Sequence, residues 1–74
     1  LDNRRDTFAP AYDAKNGEGS RKLIWAAKYA KELGATREEV IDIITEINNF
    51  WVFPMEEERF SKTLLQQINR WSFD

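Results

Sequence analysis

The sequence predicts an all-α fold, a compact three-helix bundle with an irregular N-terminal arm. Apolar residues recur at intervals of three and four over three segments, which is the period of one helix face. Between the first two segments, Gly34 can end a helix in the left-handed conformation. Thr36 and Glu39 then have the spacing of a capping box, which starts the next helix. We expect helices over about residues 20–33, 37–49 and 56–71, within a domain of residues 20–74.

Residues 1–19 show no clear period and include Pro10, Gly17 and Gly19. They are interpreted as an arm or linker, such as the tethered end of a domain. One turn of helix near residues 11–14 is the alternative, with Phe8 and Tyr12 docked on the bundle. The chain starts without Met, so we expect it to be a piece of a longer protein.

The three helices are expected to bury one apolar stripe each. Ser20 can cap the first helix with its hydroxyl, and acidic residues begin the other two, where they favour the helix dipole. The stripes are Leu23, Ile24, Ala27, Ala30 and Leu33; Val40, Ile43, Ile44 and Ile47; and Phe60, Leu64, Ile68 and Trp71.

Four large apolar residues, Phe50–Phe53, follow the second helix. Pro54 stops any regular element there and favours an extended Phe53. We expect this stretch to fill the core as it crosses the bundle. In the alternative, part of it is exposed and binds a base or a protein partner.

The composition excludes several classes of function. The 74 residues include no Cys and no His, which rules out Cys/His zinc sites and His-dependent triads. The carboxylates fall at helix starts or on solvent faces, so we expect no catalytic residue, no metal and no cofactor. No apolar run approaches the roughly 20 residues of a membrane span. A cytoplasmic protein that does not enter a membrane is expected.

Basic residues are concentrated in the front of the chain. Residues 1–35 carry seven basic and five acidic groups, and residues 36–74 carry four and eight. An anionic partner is therefore expected to meet the front half. A basic stripe on the first helix, extended by the arm, could bind nucleic-acid phosphates without reading sequence. A solvated helix face that binds nothing is the alternative. The candidate residues are Arg21, Lys22, Lys28, Lys31, Arg4 and Arg5.

The first turn of this helix is a second place for a phosphate. Backbone N–H groups of residues 17–20 could point at an anion, although the segment lacks the full P-loop pattern. A simple helix entry is the alternative.

The junction between the first two helices also has helix-turn-helix spacing, with Ala30, Gly34 and Val40 at the expected positions. The second helix would then read DNA, but its exposed side is acidic. A polyanion requires cations at that surface. The junction is therefore interpreted as a structural corner, with nucleic acid expected at the helix before it. The acids concerned are Glu38, Glu39, Asp42 and Glu46.

The order of these signals resembles the primase C-terminal helical domain of phage, plasmid and mobile-element replication proteins. The resemblance covers roughly residues 17–71. Its parts are Gly19-x-Arg21, the run from Gly34 to Glu39, a hydrophobic helix ending at Asn48, Pro54-Met55, Glu56–Glu58 and Arg70-Trp71. Lys22 stands where the family often has Asn, and Arg59 stands where it has Glu.

The resemblance implies a non-catalytic accessory domain that assists primer initiation by weak, sequence-tolerant binding of single-stranded template or nucleotide. It also implies a primase catalytic domain earlier in the same chain, and often a helicase domain after it. Phosphate contacts would fall to Arg21, Lys22, Lys28 and Lys31. The alternative is a protein-interaction module of a phage or plasmid protein, using the acidic face of the second helix or the Phe50–Phe53 loop.

Overall fold

The computed structural model describes residues 3–15 and 18–73. Within these ranges the chain forms helices and no strand, which confirms the all-α, compact fold. The long helices begin and end within two residues of the expected bounds. The first four helices are α1 (Arg4–Thr7), α2 (Ala9–Tyr12), α3 (Gly19–Glu32) and α4 (Arg37–Phe50). The third long helix is continuous and consists of α5 (Glu57–Phe60), a π-helical turn (Ser61–Leu65) and α6 (Gln66–Asn69).

The corner between α3 and α4 has the predicted chemistry. Gly34 takes φ 96°, a conformation in which a Cβ would be strained. The N–H of Ala35 donates to the carbonyl of Ala30 at 3.1 Å, closing α3 in a Schellman motif. Thr36 caps α4: its hydroxyl accepts from the N–H of Glu39 at 3.2 Å, and the Glu39 carboxylate accepts from the N–H of Thr36 at 2.9 Å. Two well-formed helix ends therefore fix the turn.

The apolar stripes of the three long helices meet in one core. Ile24 lies only half-buried beside this core. Leu33, the C-cap residue of α3, is exposed, and Trp71, which follows the end of α6, is only half-buried. Ala26 takes a core position that the sequence pattern did not assign. The buried residues of the long helices are Leu23, Ala26, Ala27, Ala30, Val40, Ile43, Ile44, Ile47, Phe60, Leu64 and Ile68.

The N-terminal segment is not the irregular arm that was expected. It forms α1 and α2, with Pro10 in the first turn of α2, where a missing N–H costs nothing. Phe8 lies between the two helices and is fully buried. Its ring packs edge-on against Trp25 and Tyr29, with centroids 6.4 and 5.8 Å away. The alternative is correct in docking Phe8 and Tyr12, which are both buried, but the helical turns lie at residues 4–7 and 9–12 and not at 11–14.

The start of α3 also differs from the expectation. Ser20 lies inside the helix, and the N-cap position is Glu18, whose side chain makes no capping bond. A Cβ on Gly19 would lie 3.3 Å from the Trp51 indole, so glycine allows α3 to begin against that ring. Gly17, part of the possible phosphate-binding turn, lies outside the described residues.

The expectation that Phe50–Phe53 fills the core is wrong for three of its four residues. Phe50, Val52 and Phe53 are 55%, 86% and 73% exposed. Only Trp51 turns inward, where its indole N–H donates to the carbonyl of Ala11 at 2.9 Å. The partly exposed alternative therefore describes this loop.

Asn48 fixes the far side of the same loop. Its side-chain oxygen accepts from the N–H of Met55 at 2.8 Å, and its amide nitrogen donates to the Met55 carbonyl at 3.3 Å. Asn48 is buried, and a buried side-chain amide needs hydrogen-bond partners. The backbone of Met55 supplies a partner for both of its polar atoms. The loop is held at Trp51 and Met55, and its apolar side chains point away between them.

Tyr12 joins α2 to α4 and should make the fold sensitive to alkali. Its hydroxyl donates to the Glu46 carboxylate at 2.6 Å in a partly buried hydrogen bond. Burial, reinforced by this bond, raises the pKa of Tyr12 to about 12. A raised pKa stabilises the fold below the ordinary value near 10, and that contribution is lost as pH rises towards 12.

We expect the free energy of unfolding to fall by about 1–2 kcal/mol between pH 10 and 12 from this group, because solvent around the Tyr12–Glu46 pair screens part of the effect. The Tyr12→Phe variant, which has no phenol to ionise, should show a shallower fall. Urea titrations at closely spaced pH values would measure both. Equal slopes for the two proteins would contradict this role of Tyr12.

Candidate nucleic-acid interface

Arg21 and Lys28 form the centre of a basic face on α3. They are seven residues apart, and because a helix turns about 100° per residue they point within about 20° of each other. Both are exposed. Over residues 3–15 and 18–73, neither side chain takes part in an ion pair or hydrogen bond. Two cations on one side of α3 are therefore available to an anion.

Trp25 lies between these cations, one turn from each, and is 38% exposed. Tyr29 stacks against it with centroids 5.5 Å apart and ring planes 24° apart. The sequence analysis gave Trp25 no role. The signal that could have assigned one is its spacing, four residues after Arg21 and three before Lys28.

Lys31 and Lys22 lie on opposite flanks of this face. They are about 180° apart around α3, so a single flat ligand cannot meet both. Lys22 is half-buried. The Lys31 ammonium lies 5.7 Å from the centroid of Phe73, a cation–π contact with the C-terminal segment. Lys31 extends the face at one edge, and Lys22 faces away from that edge.

Arg4 and Arg5 do not extend the basic face, contrary to the sequence-based expectation. Arg4 pairs with Asp42 at 2.9 Å and with Glu46 at 3.4 Å, both on α4. Arg5 pairs with Asp13 at 2.8 Å. The partners of Arg4 lie 38 and 42 residues further along the chain, and the partner of Arg5 lies 8 residues further along. Their charge is therefore partly neutralised within the molecule.

Arg5 also covers two aromatic rings. Its guanidinium carbon lies 5.0 Å from the centroid of Tyr12 and 5.2 Å from that of Phe50. Phe50 is thereby held against α2, leaving Val52 and Phe53 as the most exposed apolar side chains of the loop.

The acidic face of α4 is largely occupied by contacts within the chain. Asp42 and Glu46 bind Arg4. Glu39 completes the capping box, and the hydrogen bond from the Thr36 N–H lowers the pKa of Glu39. Glu38 alone of the four acids makes no ion pair or side-chain hydrogen bond with the described part of the chain. This face therefore offers little unpaired charge to a protein partner.

A groove of about 850 Å³ runs beside the exposed loop. Trp51 and Phe53 form part of its apolar wall, and Lys15 and Arg59 are its basic residues. The opposite wall comes from the end of α2 and the start of α3. Among the described residues, the groove thus combines the most exposed large apolar side chains with two cations and two acids, Asp13 and Glu56.

Residues 3–15 and 18–73 contain no group of three carboxylates close enough to hold a metal ion. None of the helices in those ranges has the length and apolar character needed to cross a membrane.

No family model, curated protein or solved structure matches the chain.

Proposed function

We propose that this protein is a non-catalytic accessory domain of a DNA replication primase. It assists primer initiation by binding single-stranded template weakly and without sequence preference. The observation that carries the binding part is the exposed pair Arg21 and Lys28, which have no internal ion pair in the described ranges and flank Trp25 on one side of α3. The order of sequence signals supports the assignment to a primase.

The domain carries no catalytic residue of its own. Its partners in the same chain are a primase catalytic domain and, in some proteins, a helicase domain. It acts in the cytoplasm of a cell that carries the phage, plasmid or mobile element.

Titration of a labelled single-stranded oligonucleotide at two salt concentrations tests the binding. Contacts to backbone phosphates release counterions, so log affinity should fall linearly with log salt, by about 0.7 for each phosphate contact. Different base sequences should bind with similar affinity. Binding that does not change with salt, or no binding even when the domain is fused to its catalytic domain, would reject the proposal.

A second candidate function is supported by the exposed loop. Large apolar side chains at neighbouring exposed positions are typical of a protein-binding surface. Val52 and Phe53 therefore favour a protein-interaction module. The loop is a better candidate than the acidic face of α4, because most of that face is paired internally.

We expect Phe53→Ser to weaken such an interaction on the order of 30-fold, the effect of losing one interface hot spot of about 2 kcal/mol. The catalytic domain of the parent protein is the partner to use, with amide chemical shifts as the readout. Leu33→Ser is the matched control, because Leu33 is also exposed but lies at the α3–α4 corner. Shifts confined to α4, or equal effects of both variants, would contradict a role for the loop.

A further inference from the structure

Trp25 is an unusual residue for the solvent side of a helix. Tryptophan carries a large apolar ring that normally lies buried, yet more than a third of Trp25 is exposed between two cations. Its position is nevertheless well defined. Tyr29 stacks on it at 5.5 Å, and Phe8 meets it edge-on at 6.4 Å. The ring is thus supported from the protein side by two other aromatic residues.

Neither Arg21 nor Lys28 makes a cation–π contact with Trp25 within the described part of the chain. Arg5, Lys31 and Arg37 are the cations that lie over aromatic rings in the described part of the chain, and none of them lies over Trp25. Arg21 and Lys28 are left for an anion, and the outer part of the indole is left for a flat apolar group. A nucleotide strand has both, because each phosphate is joined through the sugar to a base.

We infer that Trp25 is a base-stacking platform, which makes the α3 face selective for single-stranded nucleic acid over duplex. This inference rests on the proposed function, because it concerns the same face. An unpaired base can leave its neighbours and stack on the indole while Arg21 and Lys28 hold adjacent phosphates. In a duplex both faces of each base are already stacked on neighbouring bases, so no base is free to stack on the Trp25 indole. Stacking is tolerant of base identity, since every base has a π-face.

Substitution of Trp25 by Leu tests the inference against three probes: oligo(dT), a duplex of the same length, and heparin. Leucine keeps an apolar side chain against Phe8 and Tyr29 but cannot stack on a base. A stacked base contributes about 1–3 kcal/mol, so oligo(dT) affinity should fall roughly 5- to 150-fold. Heparin affinity should change less than about twofold. Trp25→Phe, which keeps a smaller ring, should recover part of the loss.

Several outcomes would overturn the role of Trp25 without rejecting the proposed function. These are equal affinity of the natural protein for duplex and single strand, an unchanged oligo(dT) affinity in Trp25→Leu, or an equal loss for oligo(dT) and heparin. The last would indicate a structural role. If the natural protein binds none of the three probes, the proposed function fails and the inference fails with it.

A measurement on the unmutated chain avoids any folding defect of the variant. The protein labelled with 5-fluorotryptophan should give one ¹⁹F resonance for each of its three tryptophans. Oligo(dT) should move the Trp25 resonance through the ring current of the stacked base, while heparin leaves it nearly in place. A shift confined to Trp51 or Trp71 would place the base elsewhere and overturn the inference.

Discussion

The Phe8→Ala variant is expected to lose about 3–5 kcal/mol of unfolding free energy, the usual cost of removing a fully buried phenylalanine ring. A domain of 74 residues has a total stability of roughly 4–11 kcal/mol, so this single change removes a large share of it. The loss follows from the position of Phe8, which is fully buried and packs on Trp25 and Tyr29. Urea unfolding followed by circular dichroism would measure it.

Phe53→Ala is the matched control, because it removes the same ring from an exposed position. A surface substitution of this kind usually changes stability by no more than about 0.5 kcal/mol. Because both variants lose the same ring, the difference between their free energies of unfolding measures the contribution of burial. If Phe8→Ala were as mild as Phe53→Ala, the N-terminal segment would be a dispensable arm after all.

The corner between α3 and α4 could be predicted because its chemistry is local. Gly34, Thr36 and Glu39 lie within six residues, and each acts on its own helix end. Helix bounds and apolar faces were predictable for the same reason, since the period of α4 places Val40 and Ile43 together whatever the rest of the chain does.

Phe8 and Phe53 show where local patterns stop being informative. Both are phenylalanines in segments without a helical period, near a proline. One is buried and the other exposed because of contacts with distant residues. Phe8 meets α3 rings from 17 and 21 positions along the chain. The loop containing Phe53 is held by Trp51, whose indole N–H donates to the Ala11 carbonyl 40 positions earlier in the chain. Neither set of partners can be identified from neighbouring residues.

The candidate binding face divides in the same way. Arg21, Lys22, Lys28 and Lys31 were grouped because they lie on one predicted helix, and the structure places Arg21 and Lys28 on the same side of α3 with Lys22 and Lys31 on opposite flanks. Arg4 was grouped with them by charge, but its actual partners are Asp42 and Glu46 on α4. A count of basic residues does not reveal which of them the protein neutralises itself. That depends on which acids the tertiary fold brings within about 4 Å.

The double variant Arg21→Glu with Lys28→Glu is expected to lose most of the affinity for single-stranded DNA. Removal of two phosphate contacts should lower the salt slope by about 1.4, which corresponds to an affinity loss on the order of 50-fold at 50 mM salt. The loss should be similar for different base sequences, because phosphate contacts carry no sequence information. Fluorescence anisotropy at several salt concentrations would measure slope and affinity together.

A matched control separates the α3 face from net charge. Arg59→Glu with Arg70→Glu exchanges two other exposed cations, and either double variant takes the net charge from −2 to −6. If the DNA were simply repelled by the greater negative net charge, both double variants would lose the same amount of DNA affinity. A binding face on α3 should instead leave the affinity of the control within a few-fold of the natural protein, while the test variant loses affinity on the order of 50-fold. Equal losses would mean that the DNA responds to the charge of the whole molecule, and the pairing of Arg21 with Lys28 on one side of α3 would have no binding role.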